Sequence, residues 1–79
     1  MLERILGIYE DEGLLIADGF DDAVIGIDES SMRVIYSVAK CLHILERDME
    51  MIDAIEYFEF NVKGAYVGDK TPIWCEDFF

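Results

Sequence analysis

The residues whose types and spacing bear most directly on chemistry are acids. Glu50, Asp53, Glu56 and Glu59 recur at every third position. On a helix, each three-residue step drifts by about 60°, so these acids fan across the outer half of the helix. The plain reading is a solvated face. The sharper reading is a recognition surface for a basic partner. Tyr57 and Phe60 fall on the same side, and aromatics among polar neighbours supply anchor area at protein interfaces. The candidate partner-binding residues are therefore Asp53, Glu56, Tyr57, Glu59 and Phe60. The bland alternative is that the C-terminal tail lies over both rings.

Other constellations are weaker. His43 is the single histidine, and it sits near Lys40 and Arg47. Cationic neighbours repel a metal, and a general base needs an acidic or hydroxyl partner within hydrogen-bond reach. Residues two apart diverge on a helix, so Cys41-x-His43 is not a zinc signature, even with Cys75 as a third ligand. Asp18, Asp21, Asp22 and Asp28 lack the alternating ligands and closing Glu of a calcium loop. Gly64-Ala-Tyr-Val-Gly68 lacks the Gly-Lys-Ser/Thr ending of a phosphate loop. No catalytic residue, metal site or cofactor is expected, and an enzyme is the least favoured class.

The charge balance sets the partner class. Eighteen acids stand against six bases, a formal net charge of −12 in 79 residues. Binding to phosphate needs Lys and Arg, so direct nucleic-acid and anionic-membrane contacts are disfavoured. Acids can also imitate phosphates. Duplex DNA shows one charge per ~1.7 Å of axis. Acids three residues apart on a helix stand ~4.5 Å apart, so one helix is too sparse. A DNA mimic would need the Asp21-Asp22 and Asp28-Glu29 pairs, or a second subunit, on the same surface.

Apolar residues make up 53% of the chain and aromatics 13%, too much of both for a disordered acidic segment. Residues 1–79 are read as a single small globular domain. The longest apolar runs are four residues, against the ~20 needed to span a bilayer. With no basic-then-apolar leader, the expected location is the cytoplasm, and Cys41 and Cys75 are read as reduced thiols.

These side chains must be positioned by a handful of elements. Leu2, Ile5, Leu6 and Tyr9 recur at helical spacing, which predicts a helix over 2–10 ended by Gly13. Strands are expected at 14–17, 23–28 and 33–36, the last two joined by a link of hairpin length at 29–32. Ser37 reads as the N-cap of a helix over 38–47, with Val38, Cys41, Leu42 and Leu45 facing the core. A further helix is expected over 50–63, with core face Met51, Ile52, Ala54, Ile55, Phe58 and Val62 and a C-terminal cap at Gly64. Pro72 pushes Thr71 extended, and Ile73-Trp74 is expected to fold back over the core or a sheet edge. The aromatics Phe78 and Phe79 mark either a docking tail or a packed one. The predicted fold is α+β, a three-stranded antiparallel meander with helices packed on one face, in the order α-β-β-β-α-α. A helical domain with an attached hairpin is the alternative.

Three blocks carry a resemblance. Gly19-Phe-Asp-Asp-Ala-Val-Ile-Gly26, Arg33-Val-Ile-Tyr36, and Tyr57-Phe-Glu-Phe-Asn-Val-Lys-Gly-Ala-Tyr-Val-Gly68 with Thr71-Pro-Ile73 are similar to a group of small proteins encoded by tailed phages and prophages. That group has no assigned activity, so no residue role carries over. The resemblance implies context: small acidic phage proteins are often accessory factors that bind and inhibit host proteins in the host cytoplasm.

The function expected is a non-enzymatic module that binds a basic protein through its acidic and aromatic surface. One alternative is a structural module closed as a homo-oligomer, with the two-fold dimer as the commonest solution. The other is an acidic DNA mimic directed at a nucleic-acid-binding protein.

Overall fold

A computed structural model describes residues 1–77, and Phe78 and Phe79, with the expectation placed on them, lie outside the described residues. Helix α1 (Leu2–Ile8) buries Leu2 and Ile5, one turn apart. It ends sooner than the spacing suggests, and a 3-10 turn over Glu10–Glu12 follows. Gly13 closes that turn in the left-handed region, at φ 64°, where glycine meets no Cβ clash.

Strands β1 (Val24–Asp28) and β2 (Arg33–Ser37) form the expected antiparallel hairpin, with Val24 opposite Tyr36 and Asp28 opposite Arg33. The β1 strand starts one residue later than predicted because Ala23 completes a 3-10 turn over Asp21–Ala23. At the hairpin tip the Asp28 carboxylate accepts from the Ser30 hydroxyl at 2.8 Å and the Ser31 hydroxyl at 2.7 Å. Those bonds, Ser31's first, hold its carboxyl below the ordinary Asp range.

The third strand corrects the predicted topology. It is β3 (Ile73–Cys75), and it pairs in parallel with β2, Tyr36 opposite Trp74. The sheet is therefore mixed rather than an antiparallel meander, in the order β1-β2-β3. The chain order is α-β-β-α-α-β, not α-β-β-β-α-α. Parallel neighbours cannot be joined by a tight turn and need a long, usually helical crossover. Helices α2 (Val38–Leu45) and α3 (Met51–Tyr57), the latter continued by a π-helix over Phe58–Lys63, provide it. Residues 14–17 form no strand. Both edges of β2 are already occupied by β1 and β3. The segment is instead tied by the Ala17 amide, which donates to the Tyr36 hydroxyl at 2.7 Å.

The core lies between the sheet and the helices. Val34 and Tyr36 alternate inward from β2, as a period of two requires. Val38 and Cys41 meet them from α2, and Leu42 and Leu45 pack at the edge of the cluster. Trp74 stacks at a tilt on Tyr36, with ring centres 5.1 Å apart, and meets Phe58 edge-on at 5.4 Å. The sequence expectation that Ile73-Trp74 covers a sheet edge is met by this strand.

Ser37 is the N-cap of α2, its hydroxyl accepting from the Lys40 amide at 3.0 Å. The chain adds a second cap from 40 residues away. Asp77 accepts from the Ser37 hydroxyl at 2.6 Å and from the Ala39 amide at 3.1 Å. The carboxylate thus closes β3 onto the start of α2, where unpaired amides favour an anion.

Candidate protein-interaction surface

On α3 the buried stripe is narrower than predicted. Ala54 and Phe58 are buried and Val62 is half-buried, a spacing of four residues along one ridge. Met51, Ile52 and Ile55, expected in the core, are instead 53%, 72% and 42% exposed. A sheet of three short strands with α2 beside it accommodates one ridge of α3, and flanking positions are left in solvent. The π-turn contributes to this pattern. Its wider winding keeps Phe58 and Val62 inward while Phe60 between them points out. Turns of this kind are rare and occur often at functional sites. Gly64 does not adopt the left-handed cap that the sequence suggests, having φ −77°. Its value is space: a Cβ there would stand 3.1 Å from the Glu59 carbonyl oxygen.

Each candidate partner-binding residue lies on this outer side. Asp53, Glu56 and Glu59 are exposed. Tyr57 is 45% and Phe60 82% exposed, so the described part of the tail does not bury them. The acids differ in one respect. Lys63 pairs with Glu59 at 3.7 Å and also with Glu76, whose hydrogen bond raises the lysine's pKa. Both ion pairs among the described residues fall on Lys63, and neither Asp53 nor Glu56 takes part in one. The Asp28-Glu29 pair is engaged elsewhere: Asp28 holds the hairpin tip and Glu29 accepts from the Tyr9 hydroxyl.

A groove of about 460 Å³ adjoins the surface at Tyr57. It is lined by the segment read as a strand, Leu15 to Asp18, and by Tyr57, Asn61 and Val62. Trp74, Pro72 and Val67 are also part of its lining. Sequence reasoning missed it, although the apolar run at 14–17 with nothing to pair with was the available signal. Among the described residues, the Trp74 indole N–H is buried with no acceptor.

The remaining chemistry-bearing residues do not converge. His43 is exposed on α2. Cys41 and Cys75 are free thiols, and burial, with a smaller effect from Asp77, pushes the Cys41 thiol up to about 12. Among the described residues, no cluster of three or more His, Cys, Asp or Glu is placed to hold a metal ion. No described helix is long and apolar enough to cross a membrane. Comparison with family models, curated proteins and solved structures finds no match.

Proposed function

We propose that this protein is a non-enzymatic binding module that engages a basic protein through the outer face of α3 and its π-turn. One observation carries the reading: Tyr57 and Phe60 stand in solvent among Asp53, Glu56 and Glu59. An exposed phenylalanine on a small acidic domain gains free energy only when something covers it. The flanking carboxylates select a cationic partner and speed the encounter. The resemblance to phage-encoded proteins makes a host protein in the host cytoplasm the natural target, and inhibition of it the natural outcome.

The experiment is capture from a bacterial lysate, washed first at low and then at high salt, with the eluate identified by mass spectrometry. A basic protein that persists at high salt through the aromatic anchors is the expected result. Recovery of nothing, or only of acidic proteins, would reject the reading.

Exposed Met51, Ile52 and Ile55 favour a second reading, a two-fold homo-oligomer. An isologous contact over this face would set Asp53 and Glu56 of both copies close together, and like charges across an interface oppose association. Light scattering over a wide concentration range decides it: a strict monomer removes the dimer. A DNA mimic is less well supported, since the Asp28 and Glu29 carboxylates are occupied within the fold.

A further inference from the structure

We infer that the groove beside Tyr57 receives one bulky apolar side chain from the cationic segment that lies on the acidic α3 face. This inference rests on the binding reading above and specifies its chemistry. The groove walls are apolar yet open to solvent: Leu15 is 38%, Ile16 42% and Val67 59% exposed. Its volume of about 460 Å³ falls within the ~300–1,000 Å³ usual for ligand clefts. Tyr57 belongs both to the groove and to the α3 face, so one continuous segment can cover both.

Charge decides the occupant. None of the six Lys and Arg residues lines the groove, and Asp18 is the one charged residue that does among the described residues. Lys63 is paired with Glu59 and Glu76, while Lys70 and Arg33 donate to the Glu12 and Thr71 carbonyls, which hold the side chains without neutralising them. A second copy of this chain, at −12, is repelled from such a mouth. A lysine- or arginine-rich segment with a single aromatic or leucine side chain is attracted to it.

The test is an NMR titration of the nitrogen-15-labelled protein with two short synthetic lysine–alanine peptides. One carries a central phenylalanine and the other alanine in its place. Trp74 is the chain's one tryptophan, so its indole N–H gives a single, assignable signal inside the groove lining. The phenylalanine peptide is expected to bind at least about tenfold more tightly, the value of burying one large apolar side chain. It should shift the Trp74 indole and the Ala17 and Val67 amides together with the α3 amides. Ala65→Phe, on the exposed groove rim, should abolish that advantage and leave the alanine peptide's affinity unchanged. Shifts on α3 with an unmoved groove would overturn the inference and leave the surface reading standing. Shifts in the groove alone would reject the α3 face and with it the continuous segment inferred here. Absence of binding by either peptide would remove both. Trp74 shifts that follow the protein's own concentration would replace the cationic segment with a second copy.

Discussion

Replacing Asp77 tests whether the C-terminal strand is held by the electrostatics of the α2 start. In Asp77→Ala two bonds disappear, those from the Ser37 hydroxyl and the Ala39 amide. Loss of a capping side chain costs about 1 kcal/mol. The Ser37 side chain is fully buried, and a buried donor left without an acceptor costs about 1–3 kcal/mol. Asp77 itself is half-exposed, so water recovers part of that sum and about 1–2 kcal/mol remains. For a domain of this size that is a fall in Tm of roughly 5–15 °C. The pH dependence has a definite sign. Hydrogen bonding from Ser37, the largest cause, lowers the folded-state pKa of Asp77 below its ordinary value. Its contribution is complete above the unfolded-state pKa of about 4 and disappears as the pH falls through the lower folded-state value. Thermal melts of the wild type and Asp77→Ala, followed by circular dichroism from pH 7 downward, should therefore converge in acid. Equal Tm values at pH 7, or a gap that persists unchanged into strong acid, would refute the reasoning.

Four further outcomes follow from the same structure. Phe58→Ala removes a ring that is 1% exposed and should cost about 3–5 kcal/mol, whereas Phe60→Ala should change stability by less than about 0.5 kcal/mol; urea titration separates them. Gly64→Ala places a Cβ 3.1 Å from the Glu59 carbonyl and should destabilise by about 1 kcal/mol, read as a lower urea midpoint. Cys41, buried and with its thiol pushed up to about 12, should resist alkylation at pH 8 in the folded protein while Cys75 reacts first, as peptide mapping would reveal. Added salt should raise Tm, since a net charge of −12 repels itself and is screened over ~10 Å at 0.1 M; a flat salt series would contradict this.

Local signals in the sequence carried some elements and not others. The Ser37 cap and the 29–32 hairpin link were legible because each depends on residues close in the chain. The core face of α2 was legible because its period matches its burial. The topology was not. Residues 14–17 have the apolar content of a strand, but the place beside β2 is taken by β3, from the far end of the chain. Ile73–Cys75 is too short to show a period of its own. The five candidate residues are exposed, three on α3 and Glu59 and Phe60 on the π-turn that continues it. The width of the exposed apolar stripe was not legible, because Met51, Ile52 and Ile55 match a core face in spacing and lack only a surface to cover them. The groove was invisible for the same reason: its walls come from three distant segments.

The most direct test of the binding account is parallel lysate capture on the wild type and on a Tyr57→Ala, Phe60→Ala double variant, quantified by mass spectrometry and paired with thermal melts of both. The account predicts a basic protein enriched on the wild type and lost from a variant that stays folded. Equal recovery on both folded baits would contradict it.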